Sequence, residues 1–426
     1  MNERKQIIVI GGGFAGMQFV RKIDTSLFDV LLIDKLNHHQ FQPLFYQVAT
    51  SQLEPSSISF PFRKIFQKKR HLQIRMTEVL KVEPEKNLLH TGIGVFDYDY
   101  LVIATGCQTN FFNNKSIAES AFTLKSTYDS ITIRNHVLQM FEDYISSSDE
   151  EREAMLNIVI AGAGPTGVEM AGAFAEIKKN ILPKDYPGID FSHLKIIVVE
   201  GSANTLNSMS DNAKAASRQY LEEMGVEVVT QVQVLDYINE VVHLSNGREI
   251  KCKTLVWAAG VTGNLIEGMN PDVVQRGNRL KVNRTNRVEG YDDIYAIGDI
   301  AHMETPKYPK GHPQLANVAI NQAVNLARNF KRKLNNKELK EFEYRDLGSM
   351  ATVGKHKAVV DLPFMKFKGF FAWYVWMFLH LMLILSVKNK LIIFINWAWA
   401  YITKDTSLRL ILVQPEEKEK KKTVVD

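Results

Sequence analysis

The sequence predicts an α/β protein in which one parallel-sheet unit is interrupted by a second of the same design, and three observations carry that prediction. The apolar run Ile7-Ile8-Val9-Ile10 closes into Gly11-Gly12-Gly13-Phe14-Ala15-Gly16, a G-x-G-x-x-G turn. Asn157 to Ala161, followed by Gly162-Ala163-Gly164-Pro165-Thr166-Gly167, repeats it. Ile294-Tyr295-Ala296-Ile297-Gly298-Asp299 then reads as a strand that delivers a glycine and an aspartate at its end. Strand, glycine turn and helix in succession is the pattern that holds a dinucleotide. The expected fold class is therefore α/β, with two Rossmann-like dinucleotide-binding domains, the second inserted in the first, plus a C-terminal membrane-associating α+β segment.

In the first unit each glycine has its own task. Gly11 permits the tight turn, Gly13 lets a pyrophosphate approach the backbone, and Gly16 lets helix and strand pack closely. Phe14 and Ala15 sit between them at the helix start, where free N–H groups meet phosphate charge. Phe28 to Ile33 reads as the next strand, and Asp34 stands at its end, where a carboxylate accepts from an adenosine ribose hydroxyl. A lone glycine turn is common in any fold; the acid at this place favours a dinucleotide.

At 426 residues and 45% hydrophobic content the chain can bury more than one core. A net charge of +5 is mild at this length, so no nucleic acid is expected as a partner, while a locally basic face against anionic lipid stays open. Cys107 and Cys252 are the only cysteines. Their separation excludes a disulfide framework, a C-x-x-C redox pair and a cysteine zinc site, and points to a reducing compartment. Six residues precede the first strand, so no signal or transit peptide is expected. No metal site is expected either.

Asn37 to Thr50 has no clean period and mixes polar side chains with aromatics, which suits a loop and short helix lining a ligand. Phe60 to Arg70 reads as a short, basic, solvated helix. Gln73 to Leu89 and Asp97 to Ile103 are β-like, the latter ending in Ala104-Thr105-Gly106, a small-residue turn that lets a backbone approach a ring or phosphate. Tyr128 to Ile145 has a helical pattern, and Ser146 to Glu153 reads as a solvated loop.

In the second unit Val168 to Lys179 continues as a helix and Lys195 to Val199 is a strand ending at Glu200. A carboxylate there accepts from a free 2′-hydroxyl and repels a 2′-phosphate, which favours NADH over NADPH. Val226 to Thr230 reads as a strand, Val232 to Val242 and Glu249 to Cys252 read as strand pieces around Asn246-Gly247, and Thr254 to Gly260 echoes the ending near Ala104.

The last quarter changes character. Phe342 to Leu362 reads as strands broken at Gly348-Ser349. Phe370 to Val387 is an apolar run, Lys388-Asn389-Lys390 interrupts it, and Leu391 to Ile402 is a second. Trp373, Trp376, Trp397 and Trp399 with flanking lysines fit a membrane interface. A span needs about 20 apolar residues, so two helices lying in one leaflet are expected; two buried core helices are the alternative. Pro415 to Asp426 reads as a solvated end.

Two dinucleotide sites without a cysteine pair imply one resident cofactor and one exchanged. The first site, with Gly298 and Asp299, suits FAD; the second suits NADH. The electrons then need a diffusible acceptor, and a membrane-lying end points to a lipid-soluble one.

The chain resembles the type II NADH:quinone oxidoreductases, the single-subunit, non-pumping NADH dehydrogenases. GGGFAG, FQPLFYQVAT, LVIATG, AGAGPTGVEMAG, YAIGD, GSMATVG and AWYVWMFLHL carry the likeness over nearly the whole chain. It implies that Gly11, Gly13, Gly16, Asp34, Thr50, Ala104, Gly106 and Asp299 contact FAD, with Phe14, Ala15 and Ala316 beside them. It implies that Gly164, Pro165, Thr166, Glu200 and Gly260 contact NADH. Glu169 matches a family glutamate near flavin and nicotinamide, with a part in nicotinamide placement or proton relay; a structural hydrogen bond is the plainer alternative. The family's A-Q-x-A-x-Q-Q at the quinone side of the flavin is here Ala316-Asn317-Val318-Ala319-Ile320-Asn321-Gln322. Asn317 and Asn321 keep the amide but lose a methylene of reach.

The resemblance implies a quinone partner, a membrane surface met through C-terminal amphipathic helices, and a peripheral place on the cytoplasmic face of a bacterial inner membrane; a homodimer is compatible. The expected divisions are 1–115 with 290–337 for FAD, 116–289 for NADH, 338–415 for membrane anchoring and 416–426 as a disordered tail. A soluble NADH:acceptor flavin reductase and a non-catalytic flavin-bound redox sensor are the competing readings. Disulfide reductase and sulfide:quinone chemistry are disfavoured by the two lone thiols.

Overall fold

The computed structural model describes residues 4–405 and 408–412. Lys5–Ile10 is a strand buried from Ile7 onward. Neighbours on both edges and packing on both faces explain an unbroken Ile/Val run where a half-exposed strand would alternate. It lies at the centre of a five-stranded sheet ordered Ile294–Ala296, Tyr100–Ile103, Lys5–Ile10, Phe28–Asp34, Leu72–Met76, with every pairing parallel. The second sheet repeats the plan as Thr254–Trp257, Asn157–Ala161, Lys195–Glu200, Val226–Thr230, again all parallel. The first sheet is thus completed by a strand that follows the whole second sheet in sequence.

Seven helices organise the site. The first, α1 (Phe14–Lys22), leaves the first glycine turn, and α2 (Phe45–Ala49) is a short buried helix. Helix α3 (Thr127–Tyr144) packs across α2, and α4 (Pro165–Asn180) leaves the second glycine turn. Helix α5 (Ala316–Leu334) lies beside α1, with Phe330 edge-on to Phe19 and Phe28 at 5.7 Å each. Helices α6 (Phe370–Leu383) and α7 (Val387–Thr403) close the chain.

Several expectations need correcting. Ser146 to Glu153 is not all loop: Asp149–Met155 is a helix whose cap is a reciprocal box. Ser148 N–H donates to the Glu151 carboxylate at 2.9 Å, and Glu151 N–H donates to Ser148 Oγ at 3.4 Å. The Ser-x-x-Glu spacing carried that signal, hidden in a charge run. Val232 to Val242 is two strands, Val234–Ile238 and Val241–Leu244, joined at Asn239-Glu240. Both turn residues have positive φ (50° and 62°), as a two-residue hairpin turn requires. Phe60 to Arg70 holds only one helical turn, Phe62–Ile65. Phe60, Phe62 and Phe66 are buried, and the Phe62 ring lies under Gly12, so this segment props the first glycine turn. The strand expected over Ile294 to Asp299 stops at Ala296, and a single 3₁₀ turn over Gly298–Ile300 carries the glycine and the aspartate.

After α5 the chain builds a three-stranded antiparallel sheet, Ser349–Thr352, Ala358–Asp361 and Lys366–Gly369. Residues 342–348 form no strand, and the lysine flank at 366–369 does. Lys388-Asn389-Lys390 lies inside the first turn of α7, so the break between the apolar runs falls earlier, at 384–386. Ala372, Trp376, Ile393, Trp397 and Ala400 face the core, while Phe371, Phe378, Ile395, Trp399 and Ile402 are exposed. Two wholly buried core helices are therefore excluded. No described helix is long and apolar enough to cross a membrane. The segment 416–426 lies outside the described residues.

Arg279–Val282 pairs in parallel with Ala301–Met303. A division at 289/290 therefore cuts a continuous small sheet.

Candidate functional site

The two glycine turns are the same object built twice. A Cβ on Gly11 would sit 2.4 Å from Ala104 O, and one on Gly16 would sit 1.8 Å from Gly11 O. In the second turn Gly162 meets Ala258 and Gly167 meets Gly162 O just as closely. The middle glycines differ: a Cβ on Gly13 or on Gly164 would meet nothing within 4 Å. Gly13 and Gly164 are also the N-cap positions of α1 and α4, and neither helix start is satisfied by a side-chain cap. Open space beside unpaired N–H groups is what a pyrophosphate needs, so both turns fit a dinucleotide.

The two acids are placed alike. Asp34 Oδ2 accepts from Gly12 N–H at 2.6 Å and Oδ1 from Leu36 N–H at 2.7 Å. Glu200 Oε2 accepts from Ala163 N–H and Oε1 from Ser202 N–H, each at 2.7 Å. Each carboxylate ties its strand end to its glycine turn. Burial raises the Asp34 pKa above the usual carboxylate value against the lowering pull of its two N–H donors.

The return strand reaches the first turn. Gly298, with φ of +76°, lies against Ala15 and Ala319, and Asp299 follows it. Gln322, fully buried, accepts from Gly298 N–H through Oε1 at 2.8 Å and leaves Nε2 without a partner. Cys107 Sγ donates to Asp299 Oδ2 at 3.1 Å and receives Lys125 Nζ at 3.3 Å. Burial, then the nearby Asp299 charge, pushes the Cys107 thiol up to about 11, so it is a neutral donor here. Buried Arg279 donates to Asp299 O at 3.1 Å and His312 O at 3.1 Å, fixing this turn to the loop before α5.

Other expected residues are spread along these edges. Ala104 is buried behind Gly11, and Gly106 has open space and φ of +69°. Thr50 is buried, its hydroxyl donating to Tyr46 O at 2.7 Å. Pro165 and Thr166 are exposed at the start of α4. Gly260 accepts Asn110 N–H at 3.1 Å and lies under the Phe112 ring. Phe14 packs edge-on to His39 and Phe41 at 5.2 and 5.9 Å.

A cavity of about 590 Å³, its open mouth included, lies between α2, α4, the C-terminal sheet and α6–α7. Buried Glu169 lines it, accepting from Thr352 N–H at 3.4 Å. Burial pushes the Glu169 carboxyl up to about 8, so it is protonated near neutrality. Tyr46 O–H shares a 3.1 Å hydrogen bond with Thr352 Oγ1, Gln47 Nε2 donates to Tyr46 at 3.0 Å, and Trp397 Nε1 donates to Gln47 Oε1 at 2.8 Å. Trp376 also lines the cavity, its ring stacked on His380 at 4.1 Å.

Asn317 and Asn321 stand apart from these walls. Neither lines the cavity; Asn321 is exposed and donates to Asn317 O at 2.8 Å, one turn back on α5, where Ala316 is half-buried. The buried amide of this stretch is Gln322, one residue on. Positions 318, 319, 322, 323 and 326 are the inward ones, and a 3.6-residue period read from Val318 finds them.

Two open glycine cradles, each with an acid-tipped neighbouring strand, define a flavin- and pyridine-nucleotide-dependent oxidoreductase. The chain matches the pyridine nucleotide-disulphide oxidoreductase family over residues 5–323 and the NDH2 C-terminal domain over 347–404. The type II NADH:quinone oxidoreductase Ndh of Mycobacterium tuberculosis is 31% identical over 94% of this chain and 89% of its own. The Staphylococcus aureus type II NADH:quinone oxidoreductase is 29% identical over 84% of this chain and 89% of its own. A solved structure of NDH2 from Plasmodium falciparum in complex with RYL-552 is 25% identical, with a TM-score of 0.87 over 94% of this chain and 98% of that one. The sulfide:quinone oxidoreductase of Aquifex aeolicus shares the fold at 19% identity, with a TM-score of 0.72 over 94% and 96%. This chain belongs to the type II NADH:quinone oxidoreductases. It is an FAD-dependent enzyme that uses NADH. Its two cysteines are both free.

Proposed function

We propose that the first cradle, Gly11 to Gly16 with Asp34, Thr50, Ala104, Gly106, Asp299 and Ala316, holds FAD, and that Gly164, Pro165, Thr166, Glu200 and Gly260 hold NADH. The observation that carries this is the pair of open cradles at Gly13 and Gly164, each beside an uncapped helix start. FAD, when bound, supplies the step between two-electron donor and quinone acceptor. The residues supply the rest. The α1 and α4 N–H groups hold the two pyrophosphates, and Asp34 and Glu200 orient the riboses. The Glu200 charge also disfavours a 2′-phosphate. Asp299, held by the Cys107 thiol and through its carbonyl by Arg279, fixes the ribityl side. Glu169 carries a proton at neutral pH for the acceptor side. Asn317 and Asn321 are outer contacts on the quinone side.

The quinone arrives from a bilayer met by the exposed aromatic faces of α6 and α7, with Lys366, Lys368, Lys388 and Lys390 toward anionic headgroups. This gives a peripheral enzyme on the cytoplasmic face of a bacterial inner membrane. The test is steady-state oxidation of NADH and NADPH by the FAD-loaded protein with ubiquinone and menaquinone analogues. NADH-specific quinone reduction is expected. Equal use of NADPH would overturn the role of Glu200, and NADH oxidation by ferricyanide without quinone reduction would overturn the acceptor.

A further inference from the structure

From Pro55 to Thr77 the chain carries six cations, Arg63, Lys64, Lys68, Lys69, Arg70 and Arg75, and no acid. The fold uses three of them. Arg63 donates to Ile74 O at 3.1 Å, Arg75 donates to Gln73 Oε1 at 3.0 Å, and Lys69 Nζ donates to Arg21 O at 3.1 Å and Ile23 O at 2.8 Å, closing the end of α1. Lys64, Lys68 and Arg70 are exposed, with no hydrogen-bond or ion-pair partner among the described residues. Exposed Arg21 and Lys22 at the end of α1 extend the run, and Asp24, the acid that follows them, is paired with Lys331 at 3.6 Å. Charge that complements a helix end accounts for Lys69. It does not account for the other three, because Phe62–Ile65 is a single turn and residues 66–71 are not helical.

The same segment abuts the C-terminal helices. Asn389, in the first turn of α7, donates to Ser56 O at 3.0 Å and Ser57 O at 2.9 Å. Ile65 and Leu385, the latter between α6 and α7, pack against the same two hydrophobic cores. Beside that junction Leu383, Val387 and Leu391 are exposed, as is Lys388. An apolar hairpin with unpaired cations on its flank combines the two signals that hold a peripheral protein on an anionic bilayer. We propose that Lys64, Lys68 and Arg70 form a second membrane contact, made by the FAD-binding unit, that takes the phosphate headgroups of anionic lipid. The proposal rests on the membrane reading above. The exposed faces of α6 and α7 insert; the three cations stay outside the acyl region, add attraction to a negative surface and restrict how the enzyme lies on it.

The test titrates the FAD-loaded protein with vesicles of phosphatidylcholine alone and of phosphatidylcholine with phosphatidylglycerol. Each Lys or Arg near an anionic surface adds about fivefold in partitioning, so the triple variant Lys64→Gln, Lys68→Gln, Arg70→Gln is expected to bind the anionic vesicles about 100-fold more weakly at low salt. Its binding to phosphatidylcholine alone should equal wild type, and the two proteins should converge at about 1 M NaCl, where screening acts within about 3 Å. The exchange variant Lys64→Arg, Lys68→Arg, Arg70→Lys should bind as wild type does. A second triple, Lys115→Gln, Lys195→Gln, Arg345→Gln, removes the same charge from exposed positions elsewhere and should also bind as wild type does. Circular dichroism checks each fold, and Lys68→Gln alone, expected to lose about fivefold, stands in if the first triple does not fold. An equal gain from phosphatidylglycerol in wild type and the first triple overturns the contact. So does an equal loss in the second triple, which would make the effect one of net charge, or in the exchange variant, which would make it one of fold. If wild type binds neither vesicle, the membrane reading fails and the contact with it; if it binds both vesicles alike, the contact alone fails.

Discussion

The Trp397 indole N–H donates to Gln47 Oε1 at 2.8 Å, joining residues 350 positions apart and tying α7 to α2 behind the first glycine turn. Gln47 passes the connection to Tyr46, and Tyr46 to Thr352. The C-terminal helices are thus locked to the site by a buried polar chain as well as by aromatic packing, with Trp376 and Trp397 at 5.8 Å. Trp397→Phe keeps most of the ring but leaves a buried amide oxygen unpaired. It is expected to cost about 1–3 kcal/mol in urea unfolding. It should also speed tryptic cleavage at Lys388 and Lys390; an unchanged midpoint would show the bond contributes nothing net.

The glycines of the first turn separate packing from binding. Gly16→Ala places a methyl on Gly11 O and is expected to yield little folded protein. Gly13→Ala places it in open space, so the fold should survive while FAD affinity falls by about tenfold or more, equivalent to about 1.4 kcal/mol. The ratio of flavin to protein absorbance after dialysis, with circular dichroism for the fold, checks both. Full FAD retention in Gly13→Ala would remove the pyrophosphate from that cradle.

How much of this was legible in the sequence follows from where each constraint acts. Gly11 and Gly162 carry φ of +95° and +101°, so the turns had to be written in glycine within a few residues, next to their strands. Asp34 and Glu200 end strands one crossover later and were legible for the same reason. The cavity was not: its walls come from 46–52, 169–176, 352–355 and 373–401, and only the packed core brings them together. Resemblance pointed to Asn317 and Asn321, yet the inward amide is Gln322, because helical period decides what faces in. The Asp149–Met155 helix was legible in Ser148 and Glu151 and was masked by the acidic run around them.

Glu169 makes stability fall with rising pH. Burial lifts its carboxyl from 4.5 to about 8 in the folded state. Between those values the unfolded chain has released the proton and the folded chain has kept it, so stability declines as pH rises from about 4.5 to about 8. Glu169→Gln removes that slope. Relative to wild type it should gain stability on going from pH 6 to pH 8.5, by an amount on the order of a few kcal/mol. Urea midpoints of both proteins at the two pH values check the sign. An equal change in both would mean Glu169 is ionised in the fold at neutral pH.

The membrane contact proposed for α6 and α7 rests on side chains that the fold leaves uncovered. Phe378 on α6 and Ile395 on α7 are each 60% exposed, while Trp376 and Trp397 on the same helices are buried. A charge at 378 or 395 therefore meets solvent in the free protein and costs the fold little, but it must be desolvated against acyl chains. Each buried aromatic or aliphatic side chain contributes about 1.5–3 kcal/mol when removed from water. Phe378→Glu with Ile395→Glu is expected to shift the protein from bound to free in flotation with vesicles of phosphatidylcholine and phosphatidylglycerol. Thermal stability and NADH:ferricyanide turnover should be unchanged, and turnover with a long-chain quinone in those vesicles should fall about tenfold or more. Undiminished flotation of the double variant would take α6 and α7 off the bilayer.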